Sequence, residues 1–224
     1  MKAVMERVGL DVSLLSVPDA RFPAMNVRRF WEAIISGSGD ELIGLRCGQE
    51  MQVATMQGLG LAIVTSHSLA QVLDLTARYA KVISTTMEMS LAHDASGSTL
   101  YLRTLHGYEA KHAALMAMLA FIHRQANSLS QHKVTPLAVH IHLPRTSEAD
   151  HRRLDEYFGC RVETDDLGPD YIRFSYADVM ELYAGANAML REANEHVVMQ
   201  YLNRVRQFSF TVRVEEEIQV LLKA

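Results

Sequence analysis

Seven polar side chains recur at alternate positions of four short segments: Glu88, then Tyr101 and Arg103, then His140 and His142, then Tyr171 and Arg173. Residues two apart in an extended chain project to the same side, so each pair shares a face and, if the segments pair into a sheet, all seven share one. Tyr, Arg, His and Glu together offer directional donors and acceptors of both charge signs, which is what a polar small-molecule site requires. An ordinary wet face of a half-exposed antiparallel sheet has the same alternation. The sequence leaves both readings open.

Other chemistries find less support. His140 and His142 could ligate a metal from one strand face, yet neither a His-Glu-x-x-His spacing nor a Cys/His knuckle accompanies the ten histidines, so no metal is expected. Cys47 and Cys160 stand far apart with no second thiol nearby and read as reduced, core-type thiols. A Gly-x-Ser-x-Gly elbow is missing, and a cysteine without an adjacent base is inert. Asp165 and Asp166, ahead of Gly168-Pro169, read as a solvated loop rather than an acid/base pair. Gln57-Gly-Leu-Gly-Leu lacks the preceding strand and the Lys of a phosphate loop, and its small residues point to close helix packing. No catalytic set and no cofactor is expected.

The totals set outer limits. With 224 residues, 49% of them hydrophobic, the chain can bury a full core as one large domain or as intimately packed subdomains. A net charge of -4 and a pI near 6.2, with 22 scattered Lys and Arg, give no basic surface for nucleic acid. The longest apolar run, Ala113 to Ile122, is about half a membrane span, and the first residues lack a secretory core. The expected location is the cytoplasm, without membrane contact.

Periodicity gives an α+β fold in three stretches. Residues 1–84 read as a helical N-terminal subdomain with helices at Lys2–Val8, Val27–Ser36, Glu41–Gln49, about Met56–Thr65 and Leu69–Ser84. Ser68 and Gln71 form a capping box for the last. Residues 85–176 change to period two. A hairpin turns at Asp94-Ala-Ser-Gly-Ser, an almost wholly apolar helix runs from Glu109 to Ser128, and a strand from Leu137 to Leu143 ends at Pro144. A helix capped by Ser147 continues to Phe158, and a last strand covers Tyr171–Tyr176. The expected architecture is an antiparallel sheet of about four strands packed on the long buried helix. Residues 177–224 read as two C-terminal helices, Ala177 to about Gln207 and Thr211 to Lys223.

Two further features bear on binding. An apolar pocket between the helical front and the buried helix would draw on some of Trp31, Met56, Tyr79, Met87, Met116 and Met118, whose thioethers adapt to irregular ligands. Plain core explains the same spacing. The stripe Val179, Leu182, Ala186, Met189, Ala193, Val197 and Val205 suits a homodimer surface or burial within its own domain. The candidate ligand-binding set is thus Trp31, Met56, Tyr79, Met87, Tyr101, Arg103, Met116, His140 and Arg173.

An ordered series of segments carries a resemblance: Gly44-Leu45-Arg46, Gly58-Leu-Gly-Leu-Ala-Ile-Val-Thr-Ser, Ser68-Leu-Ala-Gln-Val-Leu leading to Ala77-Arg-Tyr, then Pro136-Leu-Ala-Val-His-Ile-His-Leu-Pro and Glu156-Tyr-Phe-Gly-Cys-Arg-Val. Across almost the whole chain these resemble the N-terminal effector domain, often called arabinose-binding-type, of one branch of AraC/XylS transcription regulators. The resemblance implies a domain that binds a small effector, dimerises, and signals to a C-terminal pair of helix-turn-helix motifs. Since the chain ends at Ala224, near where those motifs would begin, the expectation is an isolated sensor domain that touches DNA only through a part it lacks. A metal-dependent or other small enzyme, and a passive interaction module, are the alternatives.

Overall fold

The computed structural model describes residues 2–17, 20–105, 112–143, 146–165 and 167–221, with side chains as far as Arg206. Six helices come first: α1 (Lys2–Arg7), α2 (Ala24–Ser38), α3 (Ile43–Glu50), α4 (Gln57–Val64), α5 (Leu69–Arg78) and α6 (Ala80–Ile83). The hairpin β1 (Met87–Asp94) and β2 (Gly97–Thr104) leads to α7 (His112–Leu129), β3 (Ala138–His142), α8 (Glu148–Phe158), β4 (Val162–Asp165) and β5 (Asp170–Ser175). Then come α9 (Tyr176–Met180) and a long α10 (Ala188–Leu221).

Local chemistry explains most boundaries. Asp94 closes the hairpin by accepting from the amides of Ser96 at 2.8 Å and Gly97 at 3.2 Å. The Ser68 hydroxyl caps α5 through the Gln71 amide, and the Gln71 side chain returns to the His67 amide. Ser147 caps α8, and Gly159 ends it in the left-handed conformation at φ +73. The long helix Leu69–Ser84 expected from the sequence is broken, because Tyr79 leaves helical geometry at φ -108 and separates α5 from α6.

The strands form one sheet in the order β1-β2-β5-β3-β4, antiparallel except for the parallel pair β3 and β4. Its apolar face, with Leu100, Leu102, Val139, Ile141, Ile172 and Phe174 fully buried, lies on α7. The two outer ends are covered by α5 on the hairpin side and α8 beside β4. At about 1.5–3 kcal/mol for each fully buried large apolar side chain, this layer is a main source of stability. On the far side of α7, α3 crosses at very close range. A Cβ on Gly44 would come 2.1 Å from the Ala113 carbonyl oxygen, and one on Gly48 would come 2.2 Å from that of Ala117. Glycines four apart on α3 thus meet alanines four apart on α7.

The α+β architecture is as expected, with two corrections beyond the break at Tyr79. A fifth strand, β4, occupies Val162–Asp165, so Asp165 belongs to the sheet rather than to a loop. Asp166 lies outside the described residues, as do Pro144 and the expected helix start at residues 109–111. The C-terminal pair of helices is not seen as predicted. The chain unwinds after Met180, where Leu182 bridges to Ser68 and the amides of Tyr183 and Asn187 bond to the carbonyls of His67 at 2.8 Å and Thr65 at 2.9 Å. Asn187 then caps α10 through the Leu190 amide, and the backbone runs helically past the expected break near Gln207 to Leu221.

Candidate functional site

A cavity of about 440 Å³ opens between the segment before α2, α2 itself, the chain joining α6 to β1, and the helices α7 and α10. Helical spacing brings its walls together. Ala24, Val27, Arg28 and Trp31 recur three and four apart on α2, and Ala114, Ala117 and Met118 do the same on α7. The turn after α6 adds Val82, Ile83 and the Ser84-Thr85-Thr86 run, and Tyr201 closes the space from α10. Thioethers from Met25, Met51, Met87 and Met118 line much of the apolar wall, which suits a shape-tolerant pocket.

The polar groups are few and uneven in charge. Arg21 donates through Nη1 to the Tyr201 hydroxyl at 2.7 Å and to the Val82 carbonyl at 3.4 Å, and its guanidinium lies 5.8 Å from the centre of the Tyr201 ring. Arg28 pairs with Glu32 one turn along α2, Nε to Oε1 at 3.3 Å. Among the described residues that line the cavity there is no Asp or Glu. Gln57, also on the wall, has φ +52 and ψ -137, a backbone conformation that costs a non-glycine residue on the order of 1–3 kcal/mol. Its neighbour Gly58 faces α10, where an added Cβ would meet the Asn194 carbonyl at 2.8 Å.

The structure divides the sequence-selected residues between three places. Trp31 and Met87 line the cavity together with Met118. Met56 and Met116 are buried in the core outside that lining, and Tyr79 donates its hydroxyl to Glu195 of α10 at 3.1 Å. Burial pushes the Tyr79 phenol up from its ordinary pKa. Tyr101, Arg103, His140 and Arg173 sit on the other side of the sheet, with His142, Glu88 and Tyr171.

On that face the groups largely satisfy one another. His140 is buried, stacks on Tyr171 at 5.6 Å, and places Nε2 2.9 Å from Asp165 and Nδ1 3.0 Å from the Pro169 carbonyl. The ring holds the Asp165 carboxyl below the usual carboxylate range. Arg173 is committed to both oxygens of Asp94, at 2.7 and 2.8 Å, and to Thr99 at 2.8 Å. Arg103 is exposed opposite Glu88 in the ladder. Among the described residues no group of three or more His, Cys, Asp or Glu is placed to hold a metal ion, and no helix is long and apolar enough to cross a membrane.

Residues 1–194 match the family described as the arabinose-binding domain of AraC transcription regulators, N-terminal. The chain belongs to this family. A solved structure shares the fold: the transcriptional regulator CdpR from Pseudomonas aeruginosa, 15% identical, superposes with a TM-score of 0.60 over 86% of this chain. That match spans 60% of the CdpR chain. No curated protein matches the sequence closely enough to count as a relative. Sequence reasoning passed over Arg21, Arg28 and Tyr201. The spacing of Arg28 to Trp31 carried a local signal, whereas nothing near Arg21 in sequence indicates a partner on α10.

Proposed function

We propose that this arabinose-binding-type domain senses a small-molecule effector, taken into the cavity between α2, α7 and α10. One observation carries the reading: Tyr201 is both a wall of the cavity and part of α10, the helix that leads toward the end of the chain. A guest that displaces or tightens the contact between Arg21 and Tyr201 acts directly on α10. The strained Gln57 on the wall, next to the tight contact of Gly58 with α10, gives a second link between pocket and helix. In this reading residues 1–84 supply the front of the pocket, 85–176 its sheet-backed floor, and 177–224 the output segment. DNA would be reached through a C-terminal domain of the regulator, in the cytoplasm.

Homodimerisation is part of the proposal. Met189, Leu190 and Ala193 are exposed near the start of α10, Val197 is half-exposed beside Gly58 of α4, and Val198 and Tyr201 face inward. Val179 of the sequence stripe is buried and Val197 rests partly on α4, so burial within the domain takes part of the stripe, and a second copy is the occupant we assign to its exposed part around Met189 and Ala193.

Trp31 is the sole tryptophan and lines the cavity, so its fluorescence reports occupancy. A screen over organic acids, amines, sugars and amino acids should find a compound that saturably changes this signal and raises the melting temperature. A ligand at a hundred times its dissociation constant adds about 2.7 kcal/mol to stability. A hit that stabilises the protein while leaving Trp31 unperturbed would place the site elsewhere.

A further inference from the structure

We propose that the cavity selects a monocarboxylic acid with an apolar body, its carboxylate seated on Arg21. The inference rests on the effector-pocket reading and adds the chemical class. Arg21 lines the cavity and uses only Nη1, on two neutral acceptors. Its other N–H donors have no partner among the described residues, and no carboxylate there pairs with it. Arg28, by contrast, is already neutralised by Glu32. A half-buried guanidinium with unused donors and no counter-ion among the described residues is a seat for a planar two-oxygen anion, which it binds in bidentate fashion.

The rest of the wall fixes the remainder of the molecule. Without an Asp or Glu in the described lining, an ammonium or guanidinium on the ligand would find no carboxylate on the wall and would meet the like charge of Arg21. Trp31, Met87, Leu115 and Met118 offer aromatic and thioether surface to an aliphatic or aromatic body. At roughly 30 Å³ per non-hydrogen atom, the share of one liquid water molecule, the space holds about fifteen such atoms. Medium-chain fatty acids and arylalkanoic acids have this size.

The test uses three probes of one chain length, decanoate, decanol and decylamine, each titrated below its micelle concentration while Trp31 fluorescence is recorded. Decanoate should bind saturably and at least about tenfold more tightly than decanol, the ratio expected when a charge-assisted hydrogen-bonded pair is added. Arg21→Gln should bring decanoate down to the level of decanol and leave decanol unchanged. If that variant does not fold, methyl decanoate against decanoate on the unmodified protein makes the same comparison. Decanol or decylamine binding as tightly as decanoate would overturn the acid assignment while leaving the pocket in place. If all three fail and another compound from the screen perturbs Trp31, the acid assignment also falls alone. If nothing of any charge perturbs Trp31, both proposals fall.

Discussion

Arg21 and Tyr201, 180 positions apart in sequence, meet in a 2.7 Å hydrogen bond with the guanidinium over the phenol ring. Arg204 lies against the same ring at 6.0 Å, so one tyrosine of α10 is held between a cavity residue and a residue of its own helix. Tyr201→Phe keeps the ring and both cation–π contacts and removes the acceptor. The expected loss is about 1–2 kcal/mol in urea unfolding, with faster amide exchange in the first turns of α10. Unchanged stability and exchange would mean that the hydroxyl does not tie the helix to the cavity.

This pair could not have been read from the sequence, whereas the hairpin could. Alternation over residues 87–104 and the Asp94 turn specify both strands and their pairing, and Ser147 with Gly159 marks both ends of α8 by local chemistry alone. Features that failed to register depend on distant partners. Four residues, Val162–Asp165, are too few to show a period, and β4 exists because β3 pairs alongside it after the α8 crossover. The break at 181–187 is imposed by bonds to Thr65, His67 and Ser68, and the Val179-to-Val205 spacing ran straight through it. Likewise the methionine-rich core gave no means of separating Met118, on a cavity wall, from Met116, sealed two positions earlier.

Glycine substitutions on α3 and α2 should have opposite signs. At Gly48 a methyl group would lie 2.2 Å from the Ala117 carbonyl and 2.7 Å from the Ala120 Cβ, and helix backbone cannot yield locally. Gly48→Ala is expected to lower stability by about 2–3 kcal/mol through overpacking. Gly37, near the end of α2, has open space around it, so Gly37→Ala should raise stability by about 0.5–1 kcal/mol. Denaturant midpoints at constant m-value decide both, and a neutral Gly48→Ala would contradict the close crossing of α3 and α7.

Two histidines should bend the pH profile in opposite directions. Exposed His132 places Nε2 2.9 Å from Asp178 and Nδ1 3.5 Å from Glu181, and the Asp178 bond raises its pKa. That contribution is fully present below the ordinary histidine value of about 6.5 and is lost as pH rises through the raised one. His123, packed against Tyr157 and Phe158, has its pKa lowered by burial. Its contribution is present above about 6.5 and is lost as pH falls toward the lowered value, since the unfolded chain then binds the extra proton. Stability should therefore peak near neutrality, with His132→Gln flattening only the alkaline limb. A variant that alters the acid limb instead would reverse the assignment.

The sheet face gives a test of where the guest sits. Arg103 is exposed opposite Glu88, and Arg173 is saturated by Asp94 and Thr99. With the cavity as the site, Arg103→Ala should leave the Trp31 response to any ligand within about twofold, a change of about 0.4 kcal/mol. Arg173→Ala should lower stability without altering that affinity. The Asp94 carboxyl, held far below the usual carboxylate range mainly by the Arg173 hydrogen bond, should return toward its ordinary value in this variant, as carboxyl NMR would report. Loss of binding with Arg103→Ala would move the site to the polar face.

The outer stripe of α10 bears on assembly. Met189 is 80% exposed, and Leu190 and Ala193 beside it are exposed too, an arrangement that costs solubility unless something covers it. An isologous pair would bury the stripe of one copy against that of the other, leaving the inward row of Val198 and Tyr201 undisturbed. Met189→Glu combined with Ala193→Glu places like charges face to face across the two-fold axis, while both positions tolerate a solvated carboxylate in the monomer. Sedimentation should give a dimer for the unmodified chain and a dimer weakened at least about tenfold for the double variant, with the circular dichroism spectrum unchanged. A monomer at high concentration before any substitution would remove the second copy from the proposal, and a double variant that dimerises as before would move the interface off α10.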